Sequence, residues 1–363
     1  MLHLSVLDLK MVLCFGFAAG MTFFLIPSIV KMANIKSLYA EPNGRTSHPE
    51  SVPTLGGIAI FIGFFITYLL FLYPQPGFHF QYIIAASLLI FFVGFKDDIV
   101  GISPFKKFFG QLVAAWIVIS FGSIRITNMH GFFGLMEIDP ALSYMITIIA
   151  ILGITNCFNL TDGVDGLCAG LAIVASLAFG AWFYYTQDYN WLILCIALTG
   201  SLSAFFYFNV FGRKNKIFMG DTGSLITGFI ISLIAIRFNE TTGDPASASF
   251  IQAAPAVAIG IIMIPLFDTL RVMATRMIHI TSPFLPDKTH IHHYLLQLGF
   301  THFQTTLILV GTSLVFIMIS SLLSNRSVLL LLLVLMTTGF LLTLIVITYA
   351  NKKKGPAKEN IHD

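Results

Sequence analysis

Apolar positions in this chain come in long runs rather than in the stripes of a water-soluble helix, and the polar positions gather between the runs. Crossing the hydrocarbon core of a bilayer takes about 20 apolar residues in an α-helix. Runs of that order lie near 7–30, 55–73, 80–95, 106–122, 141–158, 166–186, 190–210, 223–237, 249–277, 304–323 and 328–350. They predict eleven transmembrane helices in an all-α polytopic protein. The connections on one side are short except for 123–140, where alternating Ile124 and Ile126 and a turn-like His130-Gly131 predict a small surface hairpin with no chemistry of its own. Longer, motif-bearing connections fall on the other side.

Composition agrees with the pattern. Of 363 residues, 56% are hydrophobic and 10% charged, with a mean hydropathy of +0.87, whereas a soluble domain carries roughly 25% charged residues. Residues 1–350 read as one integral membrane domain and 351–363 as a basic tail. The first run lacks a basic leader and a small-residue cleavage site, so it is expected to stay as a span. The net charge of +3 says little, but its placement orients the chain. Sixteen of the twenty Lys and Arg residues fall in one set of connections and the tail, leaving Lys10, Arg125, Arg237 and Arg326 opposite. By the positive-inside rule the amino terminus is outside and the carboxyl terminus cytoplasmic. Cys14, Cys157, Cys168 and Cys195 sit in or beside spans without metal spacing, so they read as structural.

The same count places Asp97, Asp98, Asp162, Asp165 and Asp221 together at the cytoplasmic boundary. Charge at such a boundary is costly, and clustering on one side reads as a site. Asp97 and Asp98 end the third span, with Lys106 and Lys107 following; carboxylates this close share a proton or face a cation. In NCFNLTDGVDG, Asn159 and Asp162 lie three apart, so a helical end would aim an amide and a carboxylate at one ligand. No basic residue occurs between 126 and 212, so these acids are expected to lack a local ion-pair partner and to hold a hard cation, Mg²⁺ or Mn²⁺, through oxygen. The plainer alternative is an Asx/Gly turn. In FMGDTGS, Asp221 with Thr222 and Ser224 fits a helix cap equally well, but Phe218 adds a flat face on which a base can stack. Arg213, Lys214 and Lys216 form a basic rim. His290, His292 and His293, after PFLPDK, lack the partners of a zinc site; with Lys288 they suit phosphate oxygens beside an acidic cluster, against the alternative of a pH-sensing loop.

KDD, NCFNLTDGVDG, FMGDTGS and PFLPDKTHIHH, in this order and on one face, resemble the polyprenyl-phosphate N-acetylhexosamine-1-phosphate transferases over residues of about 40 to 305. HIHH is similar to the branch that begins O-antigen, enterobacterial common antigen or teichoic-acid linkage units; the phospho-MurNAc-pentapeptide branch carries an all-histidine run. The resemblance implies that UDP-N-acetylglucosamine (UDP-GlcNAc) and undecaprenyl phosphate give undecaprenyl-diphospho-GlcNAc and UMP at the plasma membrane. It implies Asp221 and Asn159 as ligands of Mg²⁺ (or Mn²⁺), Phe218 stacked on uracil, Asp165 on the uracil edge, and Asp97 and Lys107 on the lipid phosphate. Asp98 and Asp162 would complete the acidic cleft, and His290, His292 and His293 would contact the diphosphate or sugar. Membrane lipid is a further partner, a homodimer is allowed, and nucleic acid has no place. Arg45 and His48 depart from the lysine of the pentapeptide branch and carry no role. A cation-coupled transporter remains the reading from another class, but such proteins place ionisable groups near the midplane, often in repeated halves. Here the acids lie at loop junctions, with no internal repeat.

Overall fold

A computed structural model describes residues 6–36, 52–73, 79–243, 247–278 and 289–354. The helices in chain order are α1 (Val6–Lys36), α2 (Gly56–Phe71), α3 (Phe80–Val100), α4 (Pro104–Ser120), α5 (Pro140–Thr161), α6 (Leu167–Tyr185), α7 (Tyr189–Phe211), α8 (Gly220–Thr241), α9 (Ala254–Ile261), α10 (Met263–Ile278), α11 (Ile291–Gln297), α12 (His302–Leu322) and α13 (Val328–Lys354). A two-stranded antiparallel hairpin, β1 (Asn128–Phe132) and β2 (Leu135–Glu137), joins α4 to α5. It occupies the connection predicted to hold it.

Each predicted run corresponds to a helix or a helix pair. Among the described residues seven helices, α1, α5, α6, α7, α8, α12 and α13, are long and apolar enough to cross a membrane by themselves. Helix α2 is shorter, and α3 carries Lys96, Asp97 and Asp98 in its last turns. The run 249–277, expected as one helix, is instead broken between α9 and α10 by a bend of 86°. Pro265 explains the break: it lies in the first turn of α10, where a missing N–H costs nothing, but it cannot donate to the carbonyl four residues back, so α9 cannot run on. The short helix α11 has no counterpart among the predicted runs; seven residues give too little periodicity to read.

Helix α8 is the hub. It packs against α2, α3, α5 and α6 and is buried almost throughout. Glycine, serine and threonine recur along it, and in a membrane small residues let backbones approach where no hydrophobic drive exists between helices. Helices α1 and α13 lie at the perimeter and expose large apolar side chains such as Phe24 and Leu333. Contacts sort the molecule into two polar ends. At one, Lys10 stands 3.2 Å from the centroid of Tyr73, Arg237 pairs with Asp188, and Glu240 accepts from Thr127 beside the hairpin. All five aspartates named above lie at the other.

Candidate functional site

The site is built around the first turn of α8. Residues 53–57 run beside 218–219 as if paired in a sheet: Phe218 N donates to Pro53 O (2.8 Å), Gly56 N to Phe218 O (2.9 Å) and Gly57 N to Met219 O (2.9 Å). Gly220 then turns the chain with φ +71°, and a side chain there would collide with the Asp98 carboxylate. Asp98, arriving from the end of α3, accepts from Asp221 N (2.7 Å), Thr222 N (2.9 Å) and Thr222 Oγ1 (2.5 Å). The cap of α8 therefore comes from another helix and not from Asp221, Thr222 or Ser224. A capping carboxylate contributes about 0.5–2 kcal/mol; here it also frees the Asp221 side chain to point elsewhere. Asp98, expected to complete the acidic cleft, spends its oxygens on holding α8.

Asp221 points at Lys107 from α4. The Lys107 Nζ lies 2.6 Å from Asp221 Oδ1, 3.0 Å from Asp97 Oδ2 and 3.3 Å from Asn159 Oδ1. Asn159, in the last turn of α5, donates through Nδ2 to Asp221 Oδ1 (2.5 Å) and Ser224 Oγ (2.8 Å). Asp97 accepts from the Ile102 amide through its other oxygen (2.8 Å). Lys106, the other candidate of its pair, is exposed. Asp162 follows α5 directly. Burial pushes its carboxyl up to about 8, the charges of Asp221, Asp98 and Asp165 push the same way, and a hydrogen bond from the Gly220 amide opposes them. The charges of Asp221, Asp98 and Asp165 thus all bear on Asp162.

Asp165 corrects the expectation that these acids lack ion-pair partners. Lys216 Nζ, from the rim before α8, is 2.8 Å from Asp165 Oδ2, and His302 Nδ1, at the start of α12, is 3.6 Å away. Burial alone would raise the Asp165 carboxyl, but hydrogen bonds and charge from His302 and Lys216 outweigh it and hold it below the usual carboxylate range. The partners come from distant parts of the chain, where inspection of the local segment cannot find them. Lys216 also stands 5.8 Å over the centroid of the half-buried Phe218 ring, a cation–π distance. Phe218 and Asp165 are therefore linked through one lysine.

The histidines reach the same end. His292 is buried, and its Nε2 would stand 2.9 Å from a Cβ built on Gly163, so the motif's glycine admits the imidazole. Burial and the charge of the neighbouring His293 hold His292 down to about 3, which keeps it neutral at physiological pH. The rings of His290 and His292 are nearly parallel, 5.5 Å apart, and His293 is 4.3 Å from His292. Asp268 of α10, absent from the residues that the sequence motifs single out, accepts from His290 Nδ1 at 2.9 Å. A carboxylate within the apolar run MIPLFDTL is the signal that points to it. Residues 283–288, including Lys288, lie outside the described residues, as do Arg45 and His48. The four cysteines are free and buried, as expected of structural thiols.

Among the described residues, no three His, Cys, Asp or Glu side chains stand together as a ready-made metal cage. Mg²⁺ keeps waters and takes one or two carboxylates plus substrate phosphates. Asp221 with the amide oxygen of Asn159, an acidic surplus around them, fits that donor set.

Similarity to known proteins converges on the same segments. Residues 80–239, which carry all five aspartates, match the model of glycosyl transferase family 4. The undecaprenyl-phosphate alpha-N-acetylglucosaminyl 1-phosphate transferase of Yersinia pestis is 30% identical over 319 residues, 87% of this chain and 84% of that protein. A protein of the same name from Salmonella typhi is 32% identical over 277 residues, 76% of this chain and 73% of its own length. The decaprenyl-phosphate N-acetylglucosaminephosphotransferase of Mycobacterium tuberculosis is 29% identical over 324 residues, 80% of this chain and 77% of that protein.

Proposed function

The chain belongs to glycosyl transferase family 4, and from that premise we propose that it moves N-acetylglucosamine 1-phosphate from UDP-GlcNAc to undecaprenyl phosphate, leaving UMP. The observation that carries the proposal is the cluster of Lys107, Asp97, Asn159 and Asp221, held by α3, α4, α5 and α8 at one end of the bundle. Phosphoryl transfer asks a protein for positioning and charge neutralisation more than for covalent chemistry, and this cluster supplies both. The names of the relatives favour the GlcNAc branch over the pentapeptide branch, as HIHH does. A transporter has no support from family membership.

In this reading the lipid phosphate attacks the sugar-linked phosphorus, and the bond from that phosphorus to the oxygen bridging it to UMP breaks. Asp221 and Asn159 would hold a Mg²⁺ or Mn²⁺ ion, which would supply charge neutralisation on the diphosphate. Lys107 keeps its contact with Asp97, which orients it, and turns another of its N–H groups to the lipid phosphate. Both oxygens of Asp97 are engaged, one by Lys107 and one by the Ile102 amide, and those of Asp98 by the first turn of α8. These bonds weaken both carboxylates as nucleophiles. A phosphate monoester, with a second pKa near 6, is largely dianionic at neutral pH and needs little activation. Direct attack is the path this reading favours. Phe218 stacks on uracil, with Asp165 and Lys216 at the edge of the base, and the neutral His292 and its neighbours meet the diphosphate or the sugar.

A water-soluble donor and a lipid acceptor meet only at a membrane boundary, and the Lys/Arg bias assigns that boundary to the cytoplasm. Single cysteines at Ser103, Asn215 and Thr289 in a cysteine-free background are expected to escape an impermeant thiol reagent in intact cells, whereas one at Asn128 reacts. Labelling at Asn215 from outside inverts the orientation. For the activity, membranes containing the chain are expected to release UMP from UDP-GlcNAc when given undecaprenyl phosphate; release only from UDP-MurNAc-pentapeptide would move the chain to the other branch.

A further inference from the structure

Three consecutive residues of the histidine segment are tied to one element, α10. Arg271 donates to the Thr289 carbonyl, Asp268 Oδ2 accepts from His290 Nδ1 at 2.9 Å, and the Ile291 amide donates to Asp268 at 3.1 and 3.2 Å to its two oxygens. Arg271 closes the arrangement by binding Asp268 Oδ1 through Nε (3.3 Å) and a terminal nitrogen (2.7 Å). Asp268 and His290 are both buried. At the far end of α11, Lys353 of α13 donates to the Leu298 carbonyl.

The direction of these bonds fixes a proton. A carboxylate that already faces a guanidinium and receives a backbone N–H is an acceptor, so the proton of the contact belongs to His290 Nδ1. Its ring then has Nε2 as the one nitrogen open to a ligand, an orientation device that histidine sites use widely. The same carboxylate receives the first amide of α11, a contact that the side-chain oxygen of an asparagine in its place would keep.

We propose that Asp268, braced by Arg271, is a positioning residue of the transferase: it holds His290 as the Nδ1–H form and so leaves Nε2 to face the ligand. The role rests on the transferase reading above, since His290 needs a phosphate-bearing ligand to meet. It differs from a merely structural clamp, which would hold the segment without acting through His290.

The test uses the full chain in lipid nanodiscs with Asp268→Asn, His290→Gln and the double variant. Asp268→Asn is expected to lower kcat about 10–100-fold, the usual cost of losing the carboxylate behind a functional imidazole, while KM for UDP-GlcNAc stays within about threefold. The double variant should be no slower than His290→Gln alone, because the carboxylate acts through that ring. In ¹⁵N-histidine spectra, the signal lost in His290→Gln should report a protonated Nδ1 in the unaltered chain. Multiplying losses in the double variant, or a bare Nδ1, overturn the proposal. If the unaltered chain transfers nothing, the transferase reading fails, and the spectra alone then decide whether Asp268 sets the ring. Should Asp268→Asn fail to fold, the unaltered chain's spectrum still shows whether Nδ1 carries the proton, and a bare Nδ1 there overturns the proposal by itself.

Discussion

The two polar ends of the bundle use charge in opposite ways. At the hairpin end, charges are matched. Arg237 meets Asp188 through two nitrogens (2.9 and 2.7 Å), and Glu240 receives the Thr127 amide at 3.0 Å, tying the hairpin to α8. Lys10 rests on the Tyr73 ring, and Arg125 lies 5.9 Å from the centroid of Tyr144. A cavity of about 410 Å³ opens there, its lining pairing the acid Glu240 with Arg125 and Arg237. At the other end Asp97 and Asp221 share Lys107, and the charge of Asp221 adds to burial in raising the carboxyls of Asp98 and Asp162. Matched charges fasten elements to one another. Burial and a surplus of one sign, which together raise the Asp162 carboxyl to about 8, mark the place where something charged is meant to arrive.

That contrast can be broken by mutation, beginning where the effect should be largest. Asp221→Ala is expected to abolish transfer, with a loss beyond the 10–100-fold typical of a residue one shell removed from a metal, while the protein remains monodisperse in detergent. Near-normal turnover at saturating Mg²⁺ would remove Asp221 from the metal. Next, the two ends can be compared lysine against arginine. Lys107→Met should reduce kcat about 100- to 1000-fold, on the scale of deleting one donor to a developing charge, whereas Arg237→Met should leave kcat alone. Its half-exposed pair with Asp188 contributes no more than about 1 kcal/mol of stability, to be read from thermal denaturation in detergent. Equal kinetic losses from both would erase the distinction between the ends. A smaller effect is expected at the nucleotide. Phe218→Ala should weaken competitive inhibition by UMP by about 1–3 kcal/mol, the worth of one base–aromatic stack. An unchanged inhibition constant returns Phe218 to packing.

The fall of protonation at Asp162 gives a subtler check. Its carboxyl, raised to about 8, is mostly protonated at about pH 6 to 7, and a cation binding to this cluster favours the ionised form. Apparent Mg²⁺ affinity should therefore rise with pH between about 6 and 8, by less than the tenfold per unit that a directly displaced proton gives, and level off above. Asp162→Asn should flatten that dependence. A profile indifferent to the substitution would place Asp162 outside the ion's field.

Much of this is legible in the sequence because a membrane leaves few solutions. The length of each apolar run gives the spans, and parity alone brings Asp97, Asp162 and Asp221 to one end before any distance is known. The hairpin follows from alternation and a turn. What escapes depends on contacts between distant segments. Lys216 reads as part of a basic rim and His302 carries no signal, since pairing with Asp165 arises only when α6, α8 and α12 pack. Asp98 reads as one more acid of the cleft because its service to the α8 amides is invisible in KDD. The bend at Ile262 is foreshadowed only by Pro265, within a run otherwise apolar enough to continue.

Everything assigned to the acidic end depends on the chain transferring a phosphosugar there, not a bare sugar. The direct measurement uses UDP-GlcNAc labelled with ³²P in the sugar-linked phosphate, undecaprenyl phosphate and purified protein, followed by separation of lipid from nucleotide. Label is expected in the lipid with unlabelled UMP in equal amount, and neither with Asp221→Ala. Label remaining with the nucleotide as UDP while GlcNAc enters the lipid, or label reaching the lipid undiminished with Asp221→Ala, would contradict it.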